Sequence, residues 1–77
     1  MTYTKNDIRN LVVENDTLSI DVYTMHFIKN NAGKRVMFDE FSLGKRAYYD
    51  NDEQLVNAIW GRVYYYQKRG FNVVSVN

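Results

Sequence analysis

No cysteine occurs in this sequence, and for a chain of 77 residues that absence constrains the fold more tightly than any residue that is present. Domains of this size commonly lean on disulfides or on thiolate-bound zinc. With both excluded, one apolar core must offset an ordering cost of about 1.5 kcal/mol per residue. So short a chain has room for a single core, and the whole of 1–77 reads as one domain. Its 45% hydrophobic content makes near-complete burial feasible. Missing disulfides also remove the usual mark of secretion. Lys5 and Asp7 interrupt the opening residues, so no secretory leader is expected, and no run is long enough to cross a bilayer. A small soluble domain located in the cytoplasm is the expectation.

The periodicity of the chain predicts its elements in turn. Thr4 stands before Ile8, Leu11 and Val12 at helical spacing, and Asp7, three residues after Thr4, completes a capping box. A short helix over 5–13 is predicted, with a strand through Leu11, Val12 and Val13 as the competing reading. After the turn signal Glu14-Asn15-Asp16, the residues Leu18, Ile20 and Val22 alternate with Ser19 and Asp21 as in a strand. The apolar parity then changes to Tyr23, Met25 and Phe27, which predicts a bulge near Tyr23 or a strand covered on both sides. Asn30-Asn31-Ala32-Gly33 reads as a turn and 34–43 as the returning strand. Arg46 to Tyr49 is a possible short third strand.

The strongest pattern comes next. Asp50, Asn51 and Asp52 are candidate caps for a helix of about 18 residues, about 27 Å long. Leu55, Val56, Ile59, Val63 and Tyr66 form its apolar face, and Lys68, Arg69 and Gly70 end it. A last strand spans 71–76. The order α-β-β-(β)-α-β predicts an α+β, two-layer domain: a mostly antiparallel sheet of three to four strands with one long and one short helix on one face.

Reactive groups are scarce. His26 is the only histidine, which leaves catalytic triads and His/Cys metal sites without their members. Asp50-Asn51-Asp52 opens like a calcium loop, but Leu55 stands where the turn glycine belongs and Gly61 where the bidentate Glu belongs. Asp39 and Glu40, adjacent on a strand, point to opposite faces and cannot jointly hold a magnesium ion. Glycines 33, 44, 61 and 70 are isolated, so no phosphate-cradling loop is present. Neither an enzyme nor a cofactor is expected.

The surface is where the sequence is unusual. Seven tyrosines, four phenylalanines and a tryptophan exceed what one small core encloses, so some must face water. The outward face of the main helix carries Asn57, Ala58, Gly61, Tyr64, Tyr65 and Lys68, with Gln54. Gly61 costs about 1 kcal/mol there relative to alanine, a sign of close backbone approach by a partner or a second copy of the chain; a tolerated surface residue is the competing reading. Lys45 and Arg46 precede Tyr48 and Tyr49, placing cations beside aromatics in a second candidate binding segment. The ten basic and nine acidic residues leave a charge of +1, with signs alternating along the chain. A polyanion mimic is therefore not indicated.

These features predict a protein-binding module that acts as an inhibitor or accessory factor through Tyr and Arg anchors. Over its whole length, and without any motif, this short, cysteine-free, tyrosine-rich α+β chain resembles the small accessory proteins of bacteriophages and mobile elements, of which anti-CRISPR proteins are one group. The resemblance implies a nucleic-acid-processing partner such as a CRISPR effector nuclease, blocked at its nucleic-acid or target-recognition surface. The alternative is a small nucleic-acid-binding protein using Lys45, Arg46, Tyr48 and Tyr49, with Lys34 and Arg35. An α-β-β-β-α core also resembles double-stranded RNA-binding domains in outline, but Asp50, Asp52 and Glu53 stand where such a domain places lysines toward phosphate. A homodimer joined through Ala58, Gly61 and Tyr65 is the third reading.

Overall fold

The computed structural model describes residues 2–30, 35–39 and 46–76. Helix α1 (Lys5–Glu14) is followed by β1 (Leu18–Val22), β2 (Met25–Lys29), β3 (Arg35–Asp39), β4 (Arg46–Tyr49), helix α2 (Asp52–Lys68) and β5 (Val73–Val76). The strands form one antiparallel sheet in the order β4-β3-β2-β1-β5. The α+β architecture is as the sequence predicts, but the sheet has five strands, not three or four.

The additional strand comes from reading β1 and β2 as one. No bulge or two-sided strand accounts for the parity change. A two-residue turn, Tyr23-Thr24, separates a hairpin in which Val22 pairs with Met25, Ile20 with Phe27 and Leu18 with Lys29. A loop of even length moves the inward residues from even to odd numbers, which is the observed switch from Leu18, Ile20 and Val22 to Met25, Phe27 and Lys29. The irregularity in this region lies instead in the β1–β5 ladder, between Asp21 and Val22. Of the turn predicted at Asn30 to Gly33, and of the strand predicted over 34–43, the segments 31–34 and 40–43 lie outside the described residues.

Helix α1 forms because both ends are satisfied. Thr4 Oγ1 accepts from the Asp7 amide (3.1 Å) and Asp7 Oδ2 from the Thr4 amide (2.9 Å). Asn15 Nδ2 donates to the Leu11 carbonyl at 2.8 Å and closes the other end. The competing strand fails because Ile8 and Val12, one turn apart, are both sealed in the core while Val13 stays exposed. In α2 the cap is Asn51, whose Oδ1 accepts from the Gln54 amide at 2.9 Å. Leu55, Val56, Ile59 and Val63 meet Ile8, Val12 and the inward residues of β1 and β2 in one core. Helix α2 carries the chain from β4 to β5, from one edge of the sheet to the other. Its 17 residues span about 25 Å, against about 19 Å for four inter-strand spacings.

The two helices run antiparallel and are fastened at both ends. Tyr3 donates its amide to Gln67 Oε1 at 2.7 Å and accepts from Gln67 Nε2 at 3.0 Å. Arg9 forms a two-pronged ion pair with Glu53, at 2.9 and 3.2 Å. Beneath them lies Lys29, only 4% exposed, its Nζ donating to the Val12 carbonyl and standing 3.6 Å from Asp52 Oδ1. It continues the inward parity of β2 and joins the end of α1 to the start of α2.

Lys29→Ala is expected to cost about 2–4 kcal/mol, because it removes the packed stem and leaves the Val12 carbonyl without its donor. Lys29→Met, which keeps the stem, should cost less; urea unfolding of both variants checks the order. The hydrogen bond from Arg9 holds the Glu53 carboxyl below its usual range and raises Arg9, although desolvation works against both shifts. A depressed carboxylate contributes stability that is complete above the unfolded value near pH 4.3 and is lost as pH falls through the folded value. Acid unfolding of Glu53→Gln should therefore lack this component and be less pH-dependent below about pH 4 than that of the parent chain.

Candidate functional site

The end of α2 positions an exposed aromatic surface. Gly70 adopts φ 90°, a left-handed conformation available to glycine without steric cost. It reverses the chain so that the Phe71 amide bonds to the Tyr66 carbonyl (2.9 Å) and the Gly70 amide to that of Gln67 (3.1 Å). This is the Schellman arrangement, and its accompanying apolar contact sets Phe71 edge-on to Tyr66 at 6.2 Å. Phe71 thus belongs to the cap of α2 and not to the last strand, which begins at Val73.

Tyr23 reaches the same place from the β1–β2 turn. Its ring lies 4.1 Å from that of Phe71 and 5.4 Å from that of Tyr66. Tyr65 meets Tyr66 edge-on at 5.2 Å, and the Arg69 guanidinium stacks on Tyr65 with Cζ 3.7 Å from the ring centre. Along the helix a parallel row repeats the pairing. Trp60 contacts Tyr64 at 5.4 Å, and Lys68 Nζ stands 5.2 Å from the Tyr64 ring centre. The rows Trp60-Tyr64-Lys68 and Gly61-Tyr65-Arg69 each advance four residues at a time, so they lie side by side on one flank. Tyr23, Tyr64, Tyr65 and Phe71 are 48%, 46%, 45% and 39% exposed, more than rings that serve only the core.

Two local costs fall on the turn that presents Tyr23. Its φ of 52° is uncommon for a bulky side chain and costs about 1–2 kcal/mol. Thr24 Oγ1, next to it, is buried without a hydrogen-bond partner among the described residues.

The sequence-predicted residues divide. Tyr64, Tyr65 and Lys68 belong to this surface, and Asn57 and Gly61 are exposed on the same helix, while Ala58 is half-buried. A side chain at Gly61 would meet nothing within 4 Å, so none of the described residues requires glycine there. In the Lys45 to Tyr49 segment, Tyr48 and Tyr49 face opposite sides of the sheet. Lys45 lies outside the described residues and Arg46 begins β4. Strand alternation sends Tyr49 against the core and Tyr48, 55% exposed, to the sheet face away from the helices. That face also carries His26, whose Nδ1 is paired with Asp21 Oδ1 across the hairpin. Sequence reasoning missed Tyr23, Arg69 and Phe71. One signal was available: every acidic residue precedes Gln54, so 54–77 carry Arg62, Lys68 and Arg69 with no counter-charge. The alternation of sign along the chain stops at Glu53.

No family model, curated relative or solved structure matches this chain. An open groove of about 260 Å³ along α1 is lined by Tyr3, Asp7, Asn10, Leu11 and Glu14, and the Asp7 carboxylate there is already engaged by the helix cap. Among the described residues no three His, Cys, Asp or Glu side chains are grouped to hold a metal ion, and no helix is long and apolar enough to cross a membrane.

The two glycines of this region should respond with opposite sign. Gly61→Ala is expected to raise stability by about 0.5–1 kcal/mol, and Gly70→Ala to lower it by about 1 kcal/mol. Denaturant midpoints of the two variants against the parent chain provide the check.

Proposed function

We propose that this chain is a protein-binding module, an inhibitor or accessory factor that works by occupying a functional surface of its partner. The observation that carries the reading is the continuous exposed surface formed by Tyr23, Phe71, Tyr65 and Arg69 around Tyr66. Tyr and Arg are among the side chains that most often dominate binding energy: Tyr buries a large ring with two rotatable bonds and keeps a polar end, and Arg carries a planar guanidinium with several donors. Strain kept at Tyr23 supports the same reading, since unfavourable backbone is retained where a site must be presented. The proposed setting is the cytoplasm, with no cofactor and no turnover. A CRISPR effector nuclease, engaged by an anti-CRISPR protein of a bacteriophage, is one partner of the proposed kind.

A second reading, binding of nucleic acid, draws on the three uncompensated cations Arg62, Lys68 and Arg69 beside exposed rings. Affinity capture from host lysate, with and without nuclease, separates the two. Under the protein-binding reading one protein is retained by the parent chain whether or not nuclease is added, and is lost with Tyr65→Ala. Tyr23→Gly should also lose it, while relieving the turn and so preserving the fold. Retention by both variants equal to the parent would remove the surface from consideration, and nuclease-sensitive capture would favour nucleic acid.

A further inference from the structure

The chemistry of this surface specifies its partner more closely. We propose, resting on the protein-binding reading, that it takes an acidic segment in which carboxylates are interleaved with apolar side chains: a carboxylate docks on the Arg69 guanidinium, and an apolar side chain covers the ledge made by Tyr23 and Phe71.

Charge complementarity is the first ground. Arg62, Lys68 and Arg69 are exposed, and 54–77 contain no acid to neutralise them. The nearest carboxylate to the Tyr23 turn in sequence, Asp21, faces the other side of the sheet and is paired with His26. The second ground is preorganisation. Stacking on Tyr65 at 3.7 Å and a hydrogen bond from Nη1 to the Tyr65 carbonyl at 3.3 Å hold the guanidinium in place. One of its five donors is thereby used. The planar fork matches a carboxylate in two-pronged fashion, and a side chain already held loses less freedom on binding.

The third ground weighs against a phosphate backbone. Counterion release grows with the number of phosphates neutralised, so three cations supply only a small gain. The faces of Tyr64 and Tyr65 toward Lys68 and Arg69 are occupied by those cations, which leaves less ring for bases to stack on. By contrast, Tyr23 and Phe71, in mutual contact at 4.1 Å and 48% and 39% exposed, present a ledge suited to an aliphatic or aromatic side chain.

The test uses the full chain, labelled with nitrogen-15, and three probes: a peptide of Glu-Ser-Phe-Ser repeats, its Lys-Ser-Phe-Ser counterpart, and oligothymidylate. The glutamate peptide should shift the amides of Tyr65 through Phe71 and of Tyr23, and the lysine peptide should not. Arg69→Gln, whose amide spectrum reports that the fold is kept, should bind the glutamate peptide about ten- to a hundredfold more weakly. The proposal is overturned if the glutamate peptide leaves these amides unmoved, if the lysine peptide or oligothymidylate binds more tightly, or if Arg69→Gln binds like the parent chain. Failure here is distinguishable from failure of the underlying reading. A lysate partner lost with Tyr65→Ala but kept with Arg69→Gln would sink the acidic partner alone, whereas a partner indifferent to Tyr65→Ala would sink both.

Discussion

The two-residue turn at Tyr23-Thr24 governs more of this molecule than any other contact, because it determines which side of the sheet every residue of β1 and β2 faces. With an even-length loop, Leu18, Ile20, Val22, Met25, Phe27 and Lys29 all face the helices, and the core they form receives Ile8 and Val12 from α1 and four residues from α2. Moving the register by a single residue would turn this set outward and bring Ser19, Asp21 and His26 in. The same turn carries Tyr23 to the cap of α2. One local geometry thus connects the packing of the fold to its exposed aromatic surface, and the unfavourable φ at Tyr23 is retained at that junction.

Electrostatics divides the chain in a way that follows its topology. The acids and seven of the ten bases lie in residues 1–53, and several are consumed by structure: Asp7 in a cap, Glu53 with Arg9, Asp52 near the buried Lys29. The two cations at the end of α2 are instead coupled to rings, Lys68 to Tyr64 and Arg69 to Tyr65. A cation held against an aromatic face keeps its hydrogen-bonding edge available, so these contacts order the surface without neutralising it. The Schellman cap adds the apolar portion, because reversing the chain at Gly70 is what lays Phe71 beside Tyr66.

Much of the fold was legible because its signals are local. The box of Thr4 and Asp7, the Asn51 cap and the 3.6-residue period of Leu55, Val56, Ile59 and Val63 each depend on neighbours within one turn. Arg46 to Tyr49 was read with its observed bounds. The β1–β2 turn escaped because Tyr-Thr carries none of the Gly, Asn or Asp residues that announce a tight hairpin. Its trace was the change of parity, which a bulge produces equally well. For the surface, helical spacing placed Tyr64, Tyr65 and Lys68 outward, but Tyr48 and Tyr49 were grouped as neighbours although strand pleating sends them to opposite faces.

By itself the sequence determined that one cysteine-free core must carry the fold, where the main helix starts and stops, and that more aromatic rings are present than such a core encloses. These follow from composition and from contacts along a single stretch of chain. Only the tertiary structure decided that Tyr23 joins Tyr65, Tyr66 and Phe71 in one surface and that Lys29 lies sealed beneath both helices. The physical reason is that each of these depends on β1–β2 register and on the crossing of α2 from one sheet edge to the other, which bring together residues more than forty positions apart, as with Tyr23 and Tyr66, and no local pattern records that meeting.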